Sequence, residues 1–102
     1  MHPSQFSPEA WDDVRAIVAY IATDNPDVAA RFVPALEATY AQLEALPGMG
    51  SVRNFVQADL QGVRMLPVTS FEHYLIFYIP AGRSVKVIRI LHAARDFPTI
   101  FS

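Results

Sequence analysis

The chain has 102 residues, enough for one core and one compact domain over residues 1–102, and its 52% hydrophobic content excludes a disordered segment. It has no cysteine, which excludes disulfides, thiol nucleophiles and cysteine-ligated zinc, and its three histidines are scattered with no paired acids at ligand spacing, so no metal site is expected. The net charge of −2 hides two arginines against seven acids in residues 1–50 and six cations against three acids in residues 51–102.

Ser7-Pro8-Glu9 is a helix start: a serine to accept from free amides, a proline whose missing N–H costs nothing there, and an acid near the positive end of the dipole. Trp11, Val14, Ile17, Val18 and Ile21 recur at helical spacing, which predicts a helix from about Pro8 to Ala22. Asp24-Asn25-Pro26 repeats the start signal. Val28, Phe32, Leu36, Tyr40, Leu43 and Leu46 then mark a second stripe that stops before Pro47-Gly48. The two helices form an antiparallel hairpin, with Trp11 and Tyr40 in the core. Pro34 lies inside the second stripe, and because the stripe stays in phase across it the expectation is a kink and not a break.

After Gly50 the apolar period falls toward two, the signature of strands. Strands are predicted at Val63–Val68, His73–Ile79 and Val85–Leu91, the last two joined through Pro80-Ala81-Gly82-Arg83-Ser84, with residues 2–6 as a further short edge strand interrupted by Pro3. The fold class is α+β, a helical hairpin packed on a three- to four-stranded antiparallel sheet. Strict alternation places Leu75, Phe77 and Ile79 opposite Tyr74, Ile76 and Tyr78, and Val85, Val87 and Leu91 opposite Ile88 and Ile90. Two helices cover one face of such a sheet, which leaves a second face expected to carry tyrosines and arginines and to bind a partner. No apolar run approaches the ~20 residues that span a bilayer, and no leader pattern opens the chain, so a cytoplasmic protein without membrane contact is expected.

The order "FSPEAWDDVRAIVAYIATDNPDVAARF", "LPGMGSVR" and "GVRMLPVTSFEHYLIFYIPAGRSVKVIRILHAARD" resembles the ParE branch of the RelE/ParE toxin superfamily over nearly the whole chain. The elements that carry the resemblance are Asp24-Asn25-Pro26, Pro47-Gly48-Met49-Gly50, the run Tyr74 to Tyr78, and Leu91-His92 followed by Ala94-Arg95-Asp96. It implies a toxin of a type II toxin–antitoxin pair, without cofactor, silenced as a hetero-oligomer by a ParD-like antitoxin and directed at DNA gyrase. The alternatives are a RelE-like ribosome-dependent messenger RNA endoribonuclease, and an interaction module that has lost toxicity.

A metal-free ribonuclease needs a group to activate the 2′-hydroxyl, cations for the pentacovalent phosphate and an acid for the leaving oxygen. Arg64 and Arg89 would be the cations and His92 the acid or base, but the final residues, Phe97-Pro98-Thr99-Ile100-Phe101-Ser102, hold no tyrosine of the kind such nucleases use. Eight cationic residues within an acidic balance also make a poor grip on ribosomal RNA, and no sequence-specific nucleic-acid binding is expected. The reading is therefore action by binding, with Arg64, Tyr74, Tyr78, Arg89, His92 and Arg95 as the partner-binding set and no catalytic residue. On this reading "RILHAARDF" is a core strand followed by a latch for the tail.

Overall fold

A computed structural model of the chain describes residues 5–52 and 62–94. Among the described residues three helices precede four strands: α1 (Pro8–Asp24), α2 (Pro26–Ala29), α3 (Phe32–Ala45), β1 (Ser51–Val52), β2 (Arg64–Val68), β3 (Phe71–Ala81) and β4 (Ser84–His92). The strands form one antiparallel sheet in the order β1-β2-β3-β4, with α1 and α3 packed against one face.

Ser7 does two things at the start of α1. Its Oγ accepts from the Ala10 amide at 3.0 Å, which caps the helix, and donates to the Ile88 carbonyl at 2.7 Å, which fastens the cap to β4. The Ser7 amide adds a bond to the Val87 carbonyl at 2.9 Å, and Phe6 bridges Val87 in the parallel sense. Of the edge strand expected at residues 2–6, this single bridge is the described part; residues 1–4 lie outside the described residues. At the other end Asn25 closes α1 through its amide to Ile21 and opens α2 by accepting from Val28 at 3.2 Å.

The second helix is broken where a kink was expected. It divides into α2 and α3 at Ala30-Arg31, and Pro34 becomes the third residue of α3. A proline in a helix interior lacks the N–H that would bond to the fourth residue back, here Ala30, and its ring crowds that carbonyl. Starting a new helix two residues before Pro34 puts it in a first turn, where no intrahelical N–H bond is required.

The strands run close to their expected positions, β2 one residue shorter and β3 and β4 longer, and β1 was not foreseen because two residues are too few to show a period. Gly82 and Arg83 form a two-residue loop between Ala81 and Ser84, with Gly82 at φ +61°, the conformation a type II′ hairpin demands of its first residue. Between β2 and β3, Ser70 takes φ +69°, a left-handed conformation that costs a non-glycine residue about 1 kcal/mol.

The pairing of β3 with β4 shifts between Phe77 and Tyr78: Phe77 faces Arg89 while Tyr78 faces Val87, so Ile88 is an extra residue. This bulge overturns the strict alternation expected for β4. Ile90 joins Val85 and Val87 in the core under the helices, and Leu91 falls in with Ile88 on the far face. The helix-side core also takes Val14 and Ile17 from α1, Phe32, Leu36, Tyr40 and Leu43 from α3, and Tyr74, Ile76 and Tyr78 from β3. Each such large side chain contributes about 1.5–3 kcal/mol through removal from water. The far face holds Val63, Met65, Leu75, Phe77, Ile79, Ile88 and Leu91, with no tyrosine among them, contrary to the expectation that this face presents the tyrosines. Tyr74 and Tyr78 are buried beneath the helices instead, because the pleat puts them on the side of Ile76.

Candidate functional site

The segment after α3 turns on Leu46, whose carbonyl accepts from the Met49 amide at 3.0 Å. Two side chains from the sheet hold the stretch from Pro47 to Gly50. The Tyr78 hydroxyl donates to the Pro47 carbonyl at 2.9 Å and accepts from the Gly50 amide at 2.7 Å, while Arg64 donates through one terminal nitrogen to the carbonyls of Gly48 (3.2 Å) and Gly50 (2.7 Å). Arg64 and Tyr78 are directly opposite each other across β2 and β3, so their side chains emerge side by side and grip one loop. Pro-Gly-Met-Gly is thereby explained: Gly50 packs so closely that an added Cβ would lie 2.7 Å from the Tyr78 oxygen and 2.8 Å from the Met65 carbonyl oxygen. The held loop presents exposed apolar side chains at Leu46 and Met49, with Val52 beyond them on the edge strand β1.

Arg89 is engaged elsewhere. Its Nε and one terminal nitrogen donate to the two carboxylate oxygens of Asp13 on α1 at 2.7 and 2.9 Å, and one of those oxygens also accepts from the Ile90 amide at 3.0 Å. Asp13 thus satisfies a backbone donor of β4 and neutralises the arginine beside it, with its own side chain 13% exposed. Sequence reasoning missed Asp13, because in "WDDV" nothing separates it from Asp12, which pairs with Arg15 on the surface. The one signal in the sequence was its position three residues from Ala10 and four from Ile17 on the buried stripe.

His92 lies at the end of β4 opposite Tyr74, with its ring edge-on to the Tyr74 ring at 5.2 Å and stacked on His73 at 6.0 Å. Its Nδ1 accepts from the Ala94 amide at 3.3 Å, and the Ala93 amide donates to the His73 carbonyl at 2.8 Å, so the chain turns tightly as it leaves the sheet. Arg95, the remaining member of the expected set, lies outside the described residues.

The five described candidates therefore do not converge. Arg64 and Tyr78 share the loop, Arg89 faces α1, and Tyr74 and His92 share the opposite end of β3. Arg64 pairs with Tyr78 and His92 pairs with Tyr74, so along β3 alone they stand about 13 Å apart at the usual rise of a strand. Arg64, Arg89 and His92 do not meet around a common phosphate-sized point. Burial pushes the Tyr40 hydroxyl above its ordinary pKa, opposed by a hydrogen bond with Ser84 and reinforced by Glu44. Among the described residues, no three histidine or acid side chains cluster to hold a metal ion, and no helix is long and apolar enough to cross a membrane.

The architecture has a solved counterpart. The chromosomal ParDE toxin–antitoxin system of P. aeruginosa contains a chain that matches with a TM-score of 0.62 at 21% identity, over 85% of this chain and 90% of that one. No curated protein matches the chain significantly. The family model described as the ParE toxin of the type II toxin–antitoxin system parDE matches residues 5–97, from the segment that bridges β4 to just beyond the last strand. With the match running through the capped α1, the clamped Pro-Gly-Met-Gly loop and the whole sheet, the chain belongs to the ParE toxin family.

Proposed function

We propose that this toxin acts by binding, with DNA gyrase as its target, and that a ParD-like antitoxin from the neighbouring reading frame silences it in a hetero-oligomer. The family match across residues 5–97 carries this reading. The placement of the cations supports it, since Arg64 and Arg89, which a nuclease would direct at a phosphate, hold a loop and a helix of the protein itself. No metal or other cofactor enters the reading. The protein works as one domain over residues 1–102, in the cytoplasm, where both gyrase and antitoxin are found. Partner contacts by Arg64, Tyr74, Tyr78, Arg89, His92 and Arg95 are indirect for the two buried tyrosines: they shape the loop and the sheet end that a partner touches.

The test is expression in a host with a reporter of the DNA-damage response, with and without the neighbouring frame. The expected result is arrested growth with the reporter induced, both reversed by the second protein. Growth arrest with the reporter silent and messages cut in translated frames would replace this reading with the endoribonuclease.

A further inference from the structure

A strand on the rim of a sheet turns the N–H and C=O of alternate residues away from its neighbour, which makes a ready template for a further strand. At the β4 rim, nine residues long and rich in β-branched side chains, the outward groups are instead taken by α1, α3 and the segment that leads into α1. The Ile90 amide donates to Asp13 at 3.0 Å, and the Ile88 carbonyl accepts from the Ser7 hydroxyl at 2.7 Å. The Val87 carbonyl accepts from the Ser7 amide at 2.9 Å and the Val85 carbonyl from the Tyr40 hydroxyl at 3.4 Å. On the other side of the sheet β1 pairs with β2 at Arg64 and Met65, and the rim beyond offers little: Pro67 has no N–H, and the Thr69 amide donates to the Thr39 hydroxyl at 2.9 Å.

We propose that these side chains guard the sheet edges, and that Asp13 is the residue that keeps β4 from pairing with β4 of a second copy of this chain. An added strand would lie about 4.8 Å from β4 and bring a carbonyl oxygen to the Ile90 amide. The Asp13 carboxylate already occupies that place, so a strand could enter only by displacing it. A second copy is the partner that fits the rim, because two strands of one sequence pair antiparallel about a two-fold axis and each offers the other the same groups. Arg89 completes the guard. A carboxylate only 13% exposed is costly by itself, and two bonds from the guanidinium balance its charge while the same oxygen that meets Nε still accepts from Ile90. Ser7 closes the Val87–Ile88 stretch and Asp13 the stretch toward His92, so the two together cover what a bare rim would expose.

Sedimentation over a concentration series, with amide exchange read by NMR, tests this on the purified full-length toxin without gyrase or antitoxin. Asp13→Ala should self-associate about tenfold or more tightly than the parent, since a two-fold pair forms the Ile90 bond twice. Its Ile90 amide should exchange quickly in dilute solution and slow as concentration rises. Asp13→Asn keeps an oxygen at the rim and Arg89→Met keeps the carboxylate, so both should associate as the parent does. A folded Asp13→Ala protein that associates no more than the parent, or whose association leaves Ile90 exchange unchanged, would overturn the proposal. So would an Asp13→Asn variant that associates as tightly as Asp13→Ala. The parent gives a reading that stands even where the alanine variant does not fold: its Ile90 amide should be protected like the amides between β3 and β4, and exchange as free as that of a loop amide would equally overturn the guard.

Discussion

The Tyr78 oxygen lies 2.7 Å from the Gly50 amide nitrogen that donates to it, and a methyl group placed on Gly50 would meet that oxygen at the same 2.7 Å. The bond and the tight fit together fix the loop between α3 and β1. Tyr78→Phe keeps the buried ring and strands the Gly50 amide and Pro47 carbonyl, for an expected loss of about 2–4 kcal/mol in denaturant unfolding. Gly50→Ala forces backbone apart from Met65 and should cost about 1–3 kcal/mol. A Gly50→Ala protein as stable as the parent would show that the loop is not clamped.

Asp13 serves both Arg89 and the Ile90 amide, so its two partners can be separated by mutation. Arg89→Met leaves the carboxylate its backbone donor; Asp13→Ala leaves a half-buried guanidinium and an edge amide without it. The alanine variant is expected to lose about 2–3 kcal/mol and the methionine variant less, with positive coupling in the double-mutant cycle. Equal losses for the two single variants would show that the Ile90 bond adds nothing.

Pro34 sits in the first turn of α3, where proline is compatible with the helix and restricts the unfolded chain. Pro34→Ala should therefore lower stability slightly, by under about 1 kcal/mol, and preserve the break at Ala30-Arg31. Thermal melts decide the sign. A clear gain would mean that the proline strains the turn.

Tyr40 is held neutral, its pKa raised above the usual 10.0 by burial first. An unfolded tyrosine ionises near pH 10 and the folded one only above it, so this contribution to stability is complete below pH 10 and is lost as pH rises through the raised value. Tyr40→Phe retains the ring beside Phe6, 5.7 Å between centroids, and should remove that part of the alkaline fall. Unfolding free energies measured from pH 8 to pH 11 test it, and an unchanged alkaline slope in Tyr40→Phe would refute the assignment.

Local chemistry made most of this fold legible in the sequence. Ser7-Pro8-Glu9 and Asn25-Pro26 are caps whose donors and acceptors are near neighbours in the chain, and the hairpin at Gly82 needs only its own φ. What escaped depends on residues far apart. The bulge at Ile88 looks like ordinary alternation until Phe77 and Tyr78 are paired with β4, and it decides that Ile90 faces the helices. Tyrosines read as a binding face proved to be core because the helices cover the side that Ile76 occupies. Arg64 and Arg89 were visible as candidates, but a guanidinium directed at a loop carbonyl or at Asp13 has the same sequence signature as one directed at a ligand. The loop motif Pro47 to Gly50 was recognisable as a unit. Its cause, the pair Arg64 and Tyr78 in register across two strands, is a tertiary fact.

The proposed activity of this ParE-family toxin is to disable gyrase by binding and not to cut RNA. Purified toxin should be assayed in parallel for inhibition of gyrase-catalysed supercoiling and for cleavage of a message on translating ribosomes, with His92→Gln beside the parent. The expected result is loss of supercoiling at stoichiometric toxin, relief by antitoxin, an intact message, and only a modest effect of His92→Gln. Message cleavage reduced roughly 10²- to 10⁴-fold by His92→Gln in a variant that still folds, with supercoiling untouched, would contradict it.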